Sequence, residues 1–165
     1  MRSIIYEQML KSAEIYSKAA HLLNEHCSND MMMVLPSNVN ASLALEFYFK
    51  AIYQEVYSKE YLDDNNRKSH DFYKIFLQLP NDMKQKMINR FEEIMKMRNM
   101  NDIINLENVA KIAIPRDFET NIDGWSSVFV KMRYYYEKQN KQINGLFFPE
   151  IEIVLKNTIN EFKDV

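Results

Sequence analysis

The chain has 165 residues, which is enough for one domain with a substantial core and too few for two comfortable ones. Its 21 basic and 23 acidic residues give a net charge of -2, so there is no bulk attraction to nucleic acid or to an anionic membrane. Only 2 glycines and 4 prolines are present, which argues against sandwiches and barrels that need many tight turns. We therefore predict one all-α domain over residues 1–165.

Cysteine usage and hydropathy limit which disulfides, metal sites and membrane segments the chain can form. Cys27 is the single cysteine, so an internal disulfide is excluded, and the sequence lacks the paired spacing of a zinc or iron–sulfur site. We expect no metal and no cofactor. Glu7, Lys11 and Glu14 fall where a signal peptide would need its apolar core, and no run of about 20 apolar residues could span a membrane. The sequence predicts a cytoplasmic protein with no membrane partner.

Apolar residues at helical spacing predict a first helix over residues 3–26. Its polar side is expected to face water. Its inward stripe is expected to consist of Ile4, Ile5, Met9, Ile15, Tyr16, Ala19, Leu22 and Leu23.

The next helix is apolar on almost every side. Over residues 41–57 its polar positions advance in steps of four, from Ser42 through Glu46 and Lys50 to Gln54, and so follow one narrow edge. Large apolar side chains cover the rest, which predicts a helix enclosed at the centre of a bundle. Glu46 and Lys50 have the favourable order for an ion pair one turn apart. They are predicted either to form a solvent-facing stripe or to contact another helix or a second subunit.

The remaining chain predicts four more helices and one irregular stretch. His70 starts a short helix, at the end where the dipole disfavours a charged imidazole, and Ser69 is the expected N-cap. Residues 101–124 lack helical periodicity, so we expect irregular chain there with one short turn of helix. The helices are predicted over residues 70–79, 82–100, 125–141 and 146–162, giving a bundle of about five to six helices.

Three of these segments together resemble the HEPN superfamily of helical proteins. They are residues 42–52 (SLALEFYFKAI), residues 70–80 (HDFYKIFLQLP) and residues 125–137 (WSSVFVKMRYYYE). Their order and spacing match the family's central helix, its HDL-type helix start and its later helix that carries a catalytic arginine. The resemblance covers about residues 40–160 and implies a HEPN-like bundle, often a homodimer, with metal-independent RNA cleavage in many members.

The resemblance implies a role for Arg133 in particular. In active members four to six residues separate the arginine from a following histidine, whereas this chain has Lys138, Gln139 and Asn140 at the corresponding positions. The sequence therefore favours a non-catalytic or divergent member, which acts through dimerisation and binding of RNA, a nucleotide or a protein partner. One alternative is a metal-independent ribonuclease with an altered active site around Arg133. Another is a companion to a nucleotidyltransferase in a toxin–antitoxin-type or defence system.

The ribonuclease alternative assigns roles to three neighbouring residues. Arg133 would hold a phosphate while Glu137 or Tyr134, or His70 from elsewhere in the chain, assists proton transfer. Unperturbed glutamate and tyrosine titrate near 4.3 and 10, so either would need a large shift in pKa. The structural alternative is an ordinary ion pair between Arg133 and Glu137.

Basic residues around the tyrosines of the same segment suggest a binding surface. Lys131 and Lys138 could attract phosphate beside rings that stack on bases. A partly buried helix with solvated lysines is the structural alternative. The predicted binding or interface residues are Glu46, Lys50, His70, Lys131 and Lys138.

Overall fold

The protein is described by a computed structural model that covers residues 3–26, 33–111, 113–128 and 147–163. Within these residues there are seven helices and no strands, which confirms the predicted all-α class. The helices are α1 (Ile4–Glu25), α2 (Val34–Tyr57), α3 (Phe72–Gln78), α4 (Asn81–Lys96), α5 (Met100–Ala110), α6 (Phe118–Ser126) and α7 (Phe148–Glu161).

Helix α2 lies at the centre of the bundle, as its apolar composition predicts. It packs against α1, α3, α6 and α7, and its side chains Leu45, Phe49 and Ile52 are completely buried. Even the polar edge is enclosed at Ser42, whose hydroxyl donates to the carbonyl oxygen of Trp125 at 3.1 Å. A helix buried on this many sides must be apolar almost all round, which explains its composition.

The predicted inward stripe of α1 is confirmed at Met9, which is buried, but is wrong at half of its positions. Four of its members are exposed to solvent, namely Ile4, Ile5, Ile15 and Leu22. The buried side of α1 consists of Met9 together with Tyr6, Ala13, Ser17 and Ala20. Small residues at the last three positions allow the helix to lie close against α2, and this close packing outweighs the burial that the larger side chains would gain on the other face.

The described part of residues 101–124 is more regular than predicted, so the helices of the described ranges number seven, slightly above the predicted five to six. Helix α5 follows Asn99, whose side chain accepts from the backbone N–H of Asn101 at 3.1 Å. Helix α6 follows Asp117, which accepts from the N–H of Thr120 at 2.8 Å. These two N-caps start helices that are too short to show a clear apolar period.

All seven helices contribute to one continuous hydrophobic core. Aromatic rings link its layers, since Phe118 of α6 contacts both Phe76 of α3 and Phe91 of α4, with ring centroids 5.6 and 5.4 Å apart. None of the described helices is both long and apolar enough to cross a bilayer.

Candidate functional site: two buried glutamates

A buried carboxylate on α2 forms what we call the Glu46 cluster, which consists of Glu46, Lys50 and His70. Glu46 is 3% exposed, and both of its oxygens are used. Its Oε1 accepts from Lys50 Nζ at 2.6 Å, and its Oε2 lies 2.9 Å from His70 Nδ1. The cluster therefore joins the polar edge of α2 to the chain that leads into α3.

Local backbone structure places His70 at this point. Helix α2 ends at Tyr57, and the next residue, Ser58, adopts a left-handed conformation with φ 54° that turns the chain away. The chain returns through a loop to Asp71, which caps α3 by accepting from the N–H of Lys74 at 3.3 Å. The predicted cap, Ser69, instead accepts from the N–H of Asp71 at 3.1 Å. His70 is thus fixed between two side-chain caps.

The contact with Glu46 determines the chemistry of the His70 ring. A carboxylate only accepts hydrogen bonds, so Nδ1 must carry a proton and donate it to the contact. The neutral ring is then the tautomer with its proton on Nδ1. Its Nε2 is unprotonated and can accept a proton. The His70 side chain is 51% exposed, so this oriented ring reaches the surface.

The structure brings together three of the predicted binding residues, Glu46, Lys50 and His70, although His70 is 24 residues from Glu46 in the sequence. The other predicted site residues lie outside the described residues: Lys131, Arg133, Tyr134, Glu137 and Lys138. The contact of Glu46 and Lys50 with the segment that carries Arg133, or with a second subunit, therefore stays a prediction.

A second buried carboxylate, which sequence reasoning missed, forms the Glu152 cluster of Ser17, His21, Glu152 and Lys156. Glu152 on α7 is 4% exposed. Its Oε1 accepts from the Ser17 hydroxyl and from Lys156 Nζ, the latter at 2.7 Å. Its Oε2 lies 2.7 Å from His21 Nε2. Since Ser17 and His21 belong to α1, this carboxylate joins the first and last described helices.

The surroundings of Glu152 change its acidity. Burial raises the pKa of Glu152, but hydrogen bonds from Lys156, Ser17 and His21 outweigh that effect and leave the pKa below its ordinary value. Beside the cluster, burial and the charge of Glu152 raise the pKa of Tyr48. The Tyr48 hydroxyl is buried and has no hydrogen-bond partner within the described residues.

A sequence signal for the Glu152 cluster does exist. Glu152 precedes Lys156 by one turn on an apolar helix, which is the same pattern that drew attention to Glu46 and Lys50. Ser17 and His21 are also one turn apart and share a face of α1. What the sequence does not contain is the packing of α1 and α7 against the same helix, α2, which brings the two pairs together.

Neither cluster has the donor set of a metal site. Within the described ranges no group of three histidine, cysteine, aspartate or glutamate side chains converges. Comparison of the chain with protein-family models, with curated proteins and with solved structures finds no match.

Proposed function

We propose that this chain is a non-catalytic or divergent HEPN-like protein that works as a cytoplasmic homodimer and binds RNA at the surface around the Glu46 cluster. The observation that carries the proposal is the buried Glu46 carboxylate, which holds the half-exposed ring of His70 at 2.9 Å. A buried acidic group with an imidazole on one oxygen and Lys50 on the other fixes the position of both side chains.

Single-stranded RNA is the ligand that suits such a ring best. Unpaired bases stack on histidine and other flat side chains. Because His70 is held in one orientation, binding costs it little conformational entropy. The net charge of -2 favours recognition at a local surface over binding by bulk charge.

The same observation favours a second candidate, a metal-independent ribonuclease. A carboxylate on Nδ1 and an accepting Nε2 form the pair that orients a general base. In this case His70 moves the proton and Arg133 holds the phosphate, so that Glu137 and Tyr134 are not needed for proton transfer.

RNA binding and RNA cleavage by the same proteins test both candidates. The purified wild type, Arg133→Ala and His70→Ala are compared on a pool of single-stranded RNAs, with Lys86→Ala as the control that removes an exposed cation from α4. For a binding protein, affinity falls about tenfold in His70→Ala and no RNA is cleaved by any of the proteins. For a ribonuclease, cleavage by the wild type is lost in both site variants. If the wild type neither binds nor cleaves RNA, both candidates are wrong.

A further inference from the structure

A shallow groove of about 510 Å³ runs along the exposed side of α1, and the Glu46 cluster takes no part in it. Lys163, just beyond the end of α7, closes one side of the groove. Six residues of α1 line the rest, namely Glu7, Leu10, Lys11, Glu14, Ile15 and Lys18.

The charges of this groove are complementary to themselves. Consider a second α1 that runs antiparallel to the first, with the two-fold axis between residues 12 and 13. Each residue of one helix then lies opposite the partner residue for which the two residue numbers add up to 25. Glu7 then lies opposite Lys18, and Lys11 lies opposite Glu14, each twice because of the two-fold symmetry. Every acid of the groove is thus matched with a base.

These four charges are available for such contacts. Glu7, Lys11, Glu14 and Lys18 are all exposed. Within the part of the chain that the structure describes, none of them forms an ion pair.

An apolar row lies beside the charges. Ile4 and Ile15 are 11 residues apart, and Ile15 and Leu22 are 7 residues apart. Both separations are within about 20° of a whole number of helical turns, so the three side chains lie on the same side of the helix. Their exposed fractions are 77%, 58% and 50%, large values for residues of this type. A second helix laid along this face would cover the row, which no other described element does.

We infer that the α1 face is the interface between two copies of this chain, with the two α1 helices antiparallel. This inference rests on the proposed function only in requiring a homodimer. It adds the surface, the direction of the partner helix and the four ion pairs that fix its register.

Charge reversal in the full chain, with the oligomeric state measured by sedimentation, tests the register directly. Lys11→Glu places two acids opposite each other across the two-fold axis, and Glu14→Lys places two bases there. Each variant alone is expected to dissociate about 10- to 100-fold more readily than the wild type. An equimolar mixture of the two variants is expected to form heterodimers, because the acidic surface of one then meets the basic surface of the other.

The control Lys86→Glu reverses an exposed charge on α4 and is expected to leave the dimer intact. If the wild type is a dimer that both α1 variants retain at wild-type strength, the α1 interface is wrong although the proposed homodimer stands. If the variants dissociate but their mixture does not associate, the antiparallel register is wrong. A wild type that is monomeric at high micromolar concentration overturns the interface and the dimer together, whatever the RNA experiments give.

Discussion

The two buried glutamates share one sequence pattern but have different structural roles. Each precedes a lysine by one turn on a largely buried helix, and each contacts a histidine. The hydrogen-bond partners of Glu152 include Ser17 and His21 of α1. These bonds join residues that are 131 to 135 positions apart in the chain. Glu46 reaches only the loop before α3. Such a carboxylate therefore stabilises the assembly of helices where its partners come from a distant helix, and it orients a surface group where they come from a nearby loop.

The largest loss of stability is expected from the Glu152→Ala variant. It removes the acceptor of three side chains and leaves the Ser17 hydroxyl buried without a partner. The free energy of unfolding should fall by about 3 kcal/mol, below the upper range for a buried pair because Lys156 and His21 are each 42% exposed and can be hydrated. Urea denaturation measures this. A loss under about 1 kcal/mol would contradict the assigned role.

Glu46→Ala is expected to have a smaller effect on stability. Two partners are lost instead of three, and neither comes from a distant helix. We expect the free energy of unfolding to fall by about 2 kcal/mol, chiefly because Lys50, with a side chain 13% exposed, loses its counter-charge. The same urea denaturation provides the comparison. A loss greater than that of Glu152→Ala would reverse the assigned roles.

The pH dependence of stability separates the effect of the negative charge of Glu152 from the effect of the shape of its side chain, which glutamine shares. Because the folded-state pKa of Glu152 lies below its ordinary value of 4.5, its stabilising effect is fully present above about pH 4.5 and is lost as the pH falls through the folded-state pKa. The wild type should therefore exceed Glu152→Gln by about 1 to 2 kcal/mol near pH 7, and the difference should shrink as the pH falls below 4.5.

The control for that comparison is Glu93→Gln, which removes an exposed carboxyl from α4. Glu93→Gln changes the net charge by the same amount as Glu152→Gln and so shows the effect of net charge alone. A difference between wild type and Glu152→Gln that grows on acidification would contradict the assigned direction of the pKa shift.

The smallest effect is expected at the edge of the Glu152 cluster. Tyr48→Phe removes a buried hydroxyl that has no hydrogen-bond partner within the described residues, while the ring that packs beneath Lys156 stays. The free energy of unfolding should change by less than about 0.5 kcal/mol or rise slightly. Thermal unfolding measures this. A loss above about 1 kcal/mol would show that the hydroxyl belongs to the cluster's hydrogen-bond network.

The sequence predicts the parts of this fold that depend on local pattern. The polar edge of α2 identified Glu46 and Lys50, because four-residue steps on an apolar helix have few alternatives. The pattern predicts the buried face of α1 only in part, because large apolar residues do not reveal that Ala13, Ser17 and Ala20 pack closely against α2. The Glu152 cluster could not be predicted from pattern, since its contact with Ser17 depends on how α1 and α7 both pack against α2.

A matched pair of histidine variants tests most directly the claim that one glutamate serves a binding site and the other the scaffold. His70→Ala and His21→Ala each remove a half-exposed imidazole from a buried carboxylate. The measurement is the dissociation constant for single-stranded RNA, with thermal unfolding as a check that both variants fold. We predict that His70→Ala weakens binding about tenfold and that His21→Ala leaves it unchanged within about twofold. Equal affinities for the two variants, or a loss confined to His21→Ala, would contradict the account.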